Sequence, residues 1–359
     1  MHSTNGGRSV LLAAGLLLAC EGGSRAAPYA ELAAGADTVL TTYGEIAEGV
    51  WLGEGRWAVL AVQDEIVAIV DFERNGARQL GTANPRSIRN PSNIFVAEDT
   101  LYIGDWGLRR LSLWQLGGRM IRSIPAPVIV RGALPRARDS AGYFYLDVYP
   151  PPGPDGSGNR DSAAVLRIDP GLTRVDTLAR LAPADVAEVV GEAGRRFERR
   201  VFSGLDRWGV LPDGSIWVAR VYDNRVDWRA PDGSWIRGDA LPDRVLEVTR
   251  YDRELFVRRF PPELRRTAQE LPFAAIKPPF EAGLTGLSGE VWLEKSRAPA
   301  DSVRRYHVVD RRGRLIREFR LRGHGRVVAL GQGAVLVAEP GAGGTRFVAT
   351  RLPADTLSE

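Results

Sequence analysis

The chain of 359 residues reads as an all-β protein, a six-bladed β-propeller, and three observations predict this class. First, a turn of Gly, Asp, Glu or Ser followed by a short apolar strand recurs six times. The instances are Glu54-Gly55 before 57–60, Glu98-Asp99 before 101–103, Ser140-Ala141-Gly142 before 143–146, Pro212-Asp213-Gly214 before 216–218, Ser288-Gly289 before 291–293, and Gly331-Gln332-Gly333 before 335–337. Second, the units return at roughly 40 residues, stretched by insertions, which is the period of a four-stranded blade. Third, a later glycine turn follows in five of them, at Asn75-Gly76, Gly117-Gly118, Pro170-Gly171, Asp232-Gly233 and Arg312-Gly313. Such residues supply the positive φ that tight hairpins require.

Residues 1–19 have the pattern of an export signal. Arg8 precedes an apolar run over 10–19, about half the length needed to span a bilayer. Its end, Leu17-Leu18-Ala19-Cys20, resembles a bacterial lipobox, in which a lipoprotein signal peptidase cuts before the cysteine. That resemblance implies a lipidated Cys20, acylated enough for stable membrane anchoring at about 0.8 kcal/mol per buried methylene. Since Cys20 is the single cysteine, the mature domain is expected to lack a disulfide. Residues 20–36, rich in Gly and Ala, are expected to form a flexible tether, and 37–353 the propeller, with 354–359 as a tail. The protein is thus expected outside the cytoplasm, lipid-anchored in the cell envelope at the outer membrane or periplasmic face.

The segment 38–42, Thr-Val-Leu-Thr-Thr, is rich in β-formers and has no partner of its own. The last blade, 326–330, 334–339 and 346–352, has only three strands, so 38–42 is predicted to complete it and close the ring, removing an exposed sheet edge. Blade 2 is the clearest unit, with strands predicted at 93–96, 101–104, 109–113 and 120–123. Two insertions interrupt the rhythm. Residues 149–162 begin with a Pro/Gly-rich stretch that precludes regular structure. Residues 243–277 contain a predicted helix at 262–270, where Pro262 suits the first turn. A further helix is predicted over 185–198. Loops between the second and third strands share one face with the blade-to-blade connections, so both insertions are expected at one mouth of the central tunnel.

The run Asn90-Pro91-Ser92-Asn93-Ile94-Phe95-Val96, continuing through Leu101-Tyr102-Ile103-Gly104-Asp105 to Arg110-Leu111-Ser112-Leu113 and Gly118, resembles an NHL repeat. Residues 37–353 as a whole resemble bacterial six-bladed propeller lipoproteins of NHL type. Leu271-Pro272-Phe273, Gly289-Glu290-Val291-Trp292, Val309-Asp310 and Gly313-Arg314-Leu315 are similar to the fifth blade of that family. The resemblance implies a fold and an address more than a chemistry.

Composition narrows the function further. The 48 basic residues, almost all Arg since Lys277 and Lys295 are the only lysines, are interleaved with 44 acidic ones. A nucleic-acid partner is therefore not expected, because counterion release needs a concentrated basic face. Histidines are scarce: His2 lies in the signal segment, His307 in a strand of blade 5 and His324 in the link to blade 6. No Gly-rich phosphate loop or zinc ligand set is present. Some six-bladed propellers are calcium-dependent lactonases, and calcium needs about six to eight oxygen ligands. Asp64, Asp105, Asp147, Asp223 and Asn224 are the candidates on the expected face. Trp106, Trp228, Trp235 and Tyr222 are expected in or beside loops and outer strands, where aromatics with Arg make recognition surfaces.

The expectation is a monomeric, non-catalytic envelope lipoprotein that binds a protein, glycan or small ligand at one tunnel face. Asp105, Trp106, Arg220, Tyr222 and Asp223 are the expected contacts, on adjacent loops. The alternative is a calcium-dependent hydrolase of lactonase type, with calcium as its cofactor.

Overall fold

A computed structural model describes residues 28–32, 35, 37–82, 88–149, 163–191 and 194–353. The signal segment, Cys20 and most of the 149–162 insertion lie outside them. Six four-stranded units follow one another along the chain, each antiparallel from its inner to its outer strand. Blade 1 comprises Glu48–Gly53, Arg56–Ala61, Ile66–Asp71 and Gly76–Gln79. Blade 2 comprises Pro91–Ala97, Thr100–Asp105, Arg110–Gln115 and Met120–Pro125, each strand boundary within two residues of its predicted position. Blade 3 comprises Ala137–Arg138, Phe144–Val148, Ala164–Ile168 and Val175–Arg180, and blade 4 Arg207–Val210, Ile216–Arg220, Arg225–Arg229 and Trp235–Ile236. Blade 5 comprises Phe280–Thr285, Val291–Lys295, Val303–Val309 and Leu315–Arg322. Blade 6 contributes Arg326–Gly331, Ala334–Gly341 and Gly344–Arg351 from the C-terminal end of the chain.

The ring closes as predicted. Thr38–Leu40 pairs antiparallel with the last strand of blade 6, placing Thr38 opposite Val348, Val39 opposite Phe347 and Leu40 opposite Arg346. The six innermost strands contact one another in succession around the axis, the first touching the sixth. Hydrophobic clusters lie between every neighbouring pair of blades, so the core is distributed around the ring. Trp57, Trp217 and Trp292, from the second strands of blades 1, 4 and 5, fill these interfaces and are almost fully buried. Glycine makes room for them: a Cβ at Gly283 would sit 2.8 Å from the Trp217 ring, and one at Gly331 2.6 Å from that of Trp57.

The turn chemistry follows the sequence with one exception. Glu54 and Gly55 both have positive φ, 49° and 67°, the signature of the tight turn whose twist matches a hairpin. In blade 3, however, Leu172 takes the left-handed conformation at φ 58°, and Gly171 does not. Asp169 organises that turn, accepting bonds from the Thr173 and Arg174 amides at 2.7 and 2.6 Å.

Three further corrections concern the connections. The helix expected over 185–198 is instead a β-hairpin, Val186–Gly191 paired with Gly194–Arg199. Its charges suggested a helix face, but the β-branched Val186, Val189 and Val190 favour strand, and Gly194 at φ 93° supplies the turn. Within the segment expected as tether, Tyr29–Glu31 adds a parallel fifth strand to the outside of blade 5, and Leu32 is buried between blades 5 and 6. The helix predicted at 262–270 is present as a 3-10 turn at Pro262–Leu264 running into a helix at Arg265–Glu270. A helix at Arg250–Arg258, missed from the sequence, precedes it and starts in a capping box in which the Thr249 and Asp252 side chains bond each other's backbone amides.

Candidate functional site

Each inner strand begins at the same mouth of the tunnel, the face that also carries the turns between second and third strands. Near that end the six blades present Glu48, Asn93, Arg136, Arg207, Glu281 and Arg326 in order around the ring. Several of these reach the next blade. The Glu48 carboxylate accepts from the Ile94 amide on blade 2 at 3.1 Å and from Arg136 of blade 3 at 2.9 Å. Arg136 also lies 3.7 Å from Asp147. Asn93 donates to the Pro135 carbonyl at 2.8 Å. Arg326 of blade 6 bonds Glu294 of blade 5 at 2.9 Å, and Arg304 bonds the other oxygen of the same, almost fully buried carboxylate.

Arg207 differs from the other arginines of this layer. It donates to the Glu281 carbonyl at 2.6 Å, and among the described residues it has no carboxylate partner. It keeps solvent contact while being enclosed by protein, the condition of a side chain in a channel. Enclosure, then repulsion from Arg199 and Arg136, lowers its pKa, while Tyr149 offsets part of the effect and Arg326 adds a smaller repulsion. Glu281 shows the converse: enclosure first, then the neighbouring Glu294, raises its carboxyl, against Arg304 and Lys277. Burial pushes the Tyr149 phenol up to about 12, with Asp147 and Asp206 acting in the same direction.

A cap stands on the blade 3–4–5 side of this mouth. It is built from two blade-to-blade connections, residues 181–206 and 237–279. Val201 donates to the Pro272 carbonyl at 2.7 Å and accepts from the Ala274 amide at 2.9 Å. Phe202 packs against Phe256 and Phe273, and Arg196 of the hairpin lies 3.6 Å from Glu270. Beneath these rings the buried Lys277 ammonium meets Asp252 at 2.6 Å. The sequence thus foresaw the 243–277 insertion at this mouth, but the partner that joins it is the hairpin mistaken for a helix.

The contacts expected from sequence fall into two groups. Asp105 and Trp106 belong to blade 2, and Arg220, Tyr222 and Asp223 to blade 4, so blade 3 separates loops that were expected to be adjacent. Asp105 is fully buried and accepts from the amides of Arg89, Asn90 and Leu108 at 2.8, 3.2 and 2.8 Å, so its carboxylate shapes the turn. Trp106, half exposed, projects beyond it with Arg109 over its ring. Arg220 bridges the buried Asp206 and Asp227 at 3.0 and 3.1 Å, and Asp223 pairs with Arg225 at 2.5 Å. Tyr222 is exposed at the rim beside the cap. Trp235 is exposed as expected, whereas Trp228 is buried and donates to the Asp310 carbonyl at 2.9 Å, because blade 5 covers it.

The oxygen donors considered for calcium do not converge. Asp64 accepts from the Gly44 amide at 2.6 Å, and Asn224 is held between the Leu241 carbonyl and the Lys295 ammonium. Asp105 faces amides, while Asp147 and Asp223 face arginines. Among the described residues no three His, Cys, Asp or Glu side chains are placed to hold a metal ion. These residues therefore do not fit a calcium site.

The layer around Arg207 escaped the sequence reading because its members are single residues far apart in the chain. The one usable signal was register: each sits at or near the start of an inner strand.

This architecture defines the class, a six-bladed β-propeller with a capped mouth. No protein-family model and no curated protein matches the chain. Among solved structures it is similar to a DUF4221 family member from Bacteroides vulgatus, at 10% identity and TM-score 0.46, covering 88% of this chain and 98% of that one. It is also similar to a gluconolactonase from Xanthomonas campestris, at 13% identity and TM-score 0.46, covering 87% and 89%. A calcium-binding regucalcin from Agrobacterium tumefaciens aligns at 10% identity and TM-score 0.43, covering 91% and 97%.

Proposed function

We propose that this chain is a lipoprotein of the cell envelope, anchored through Cys20, whose NHL-type propeller binds a protein, glycan or small ligand at the capped tunnel mouth without catalysing a reaction. The observation that supports this reading is the state of the carboxylates there. Glu48, Asp147 and Glu294 are each engaged by arginine, so three of the acids at this polar mouth are already committed, and Glu281 alone of the acids in the inner-strand layer has no ion pair among the described residues. Trp106 and Tyr222 extend that surface with exposed aromatic area on either side of blade 3.

Two measurements test the reading on the full chain. Cys20→Ser should move the protein from the membrane to the soluble fraction, and unchanged fractionation would remove the anchor. In detergent, the melting temperature should be the same in EDTA and in excess calcium, with no hydrolysis of simple sugar lactones. A calcium-dependent rise with lactone turnover would replace the scaffold with an enzyme, because an ion that binds only the folded state must stabilise it.

A further inference from the structure

Granting that the capped mouth is the binding site, we infer that its ligand carries an oxyanion, a carboxylate or phosphate group, and that Arg207 is the residue that receives it. The charge at this mouth is not evenly spread. On the side of blades 1 and 3, Arg136 is shared by Glu48 and Asp147, leaving no cationic excess. On the opposite side, Glu294 is shared by Arg304 and Arg326, and Glu281 beside them offsets the remaining charge. Arg207 lies between these clusters with no carboxylate of its own, and Arg199 of the cap hairpin, bonded only to the hydroxyl and carbonyl of Ser203 among the described residues, adds to the positive charge around it.

An arginine has five N–H donors in a planar fork. Arg207 spends one on the Glu281 carbonyl, and among the described residues no other partner takes the rest. Enclosure first, and repulsion from Arg199 and Arg136 after it, lowers the Arg207 pKa, and a bound anion would offset both. The arrangement is therefore built for a group that brings two or three oxygens and a negative charge into the channel. The wall beside it is polar, with Tyr149 nearby and the Glu281 carbonyl bonded to Arg207 at 2.6 Å.

The test is calorimetric titration of the full chain in detergent, at constant ionic strength, with inorganic phosphate and with succinate as probes. Saturable binding of either is expected, phosphate marking a tetrahedral preference and succinate a planar one. Arg207→Gln should weaken it by about tenfold or more, the usual worth of a hydrogen bond to a charged group. Arg207→Lys should recover part of the loss, and Arg74→Gln, an exposed residue of an outer turn, none should be lost. Affinity within twofold of wild type in folded Arg207→Gln, or no binding of either probe, overturns the inference. A bulky maleimide adduct on Ser92→Cys, at the same mouth, separates the two readings. Binding that survives Arg207→Gln but is blocked by the adduct overturns the arginine assignment and keeps the mouth; binding that survives both overturns the mouth as well.

Discussion

Val39 and Phe347, near opposite ends of the chain, face each other across an antiparallel ladder, and both are almost completely buried. The propeller is therefore closed by non-covalent contact alone at this seam. Val39→Ala should cost roughly 2 kcal/mol through lost burial and the cavity left behind. Its neighbour Leu40 points outward, 76% exposed, so Leu40→Ala should leave stability unchanged. Deleting residues 36–43 should lower the melting temperature sharply; an unchanged value would mean that the ring closes without this strand.

Asp105 and Trp106 are adjacent in sequence and opposite in role. Removing the Asp105 carboxylate strands three backbone amides at the base of a turn, so Asp105→Ala should destabilise by about 2–3 kcal/mol. Trp106→Ala should stay within about 0.5 kcal/mol, as surface substitutions do. Denaturant titration of the pair checks both, and equal effects would contradict the division of labour.

The cap hangs on Asp252, which caps a helix and pairs with Lys277 in the interior. Burial alone would raise this carboxyl, but bonds to Lys277 and Thr249 outweigh it and hold its pKa below the ordinary range. Asp252→Ala leaves the Lys277 charge buried and unpaired and should cost about 3 kcal/mol. Because the cap is built from connections, protease cleavage within 243–277 should accelerate before the blades unfold. Global unfolding with no earlier cleavage would show the cap and ring to be one cooperative unit.

His307 should make stability depend on mildly acidic pH. Its Nε2 lies 3.4 Å from Glu318, its Nδ1 has no partner among the described residues, and Lys295 of the adjacent strand in blade 5, paired with Asp243 of the blade 4–5 connection, is its cationic neighbour. Burial first and Lys295 second push its pKa from 6.5 down to about 4, against the pull of Glu318 and Asp243. Between those values the unfolded chain binds the proton and the folded chain resists it. The contribution is thus intact above pH 6.5 and is lost as pH falls toward 4, on the order of 2 kcal/mol by pH 5. The difference in stability between wild type and His307→Gln should shrink across this window; parallel pH profiles would refute the assignment.

The parts of the fold that were legible are those written in local chemistry. Glu54-Gly55 must turn because both positions take positive φ, and the continuous apolar run after it, buried on both faces, suits 56–61 to an inner-lying strand. The hairpin at 186–199 was misread because interleaved charges satisfy a helix face and a solvent-exposed ribbon equally well, and only the pairing of Val189 with Arg196 and its neighbours distinguishes them. Trp228 looked available for the same reason: what buries it is Asp310 and Arg311 of the next blade.

The sequence by itself determined that the chain builds six antiparallel units and where the ring closes, since hairpin turns and a leftover strand are properties of short segments. Only the tertiary structure decided which charges meet at the tunnel mouth. Glu48, Arg136, Arg207 and Arg326 lie on four different blades, and their encounter depends on ring curvature and on the register with which each inner strand begins. Charge interactions fall off with distance and respond to enclosure, so whether an arginine is paired or left free is fixed when the blades come together, not when they are encoded.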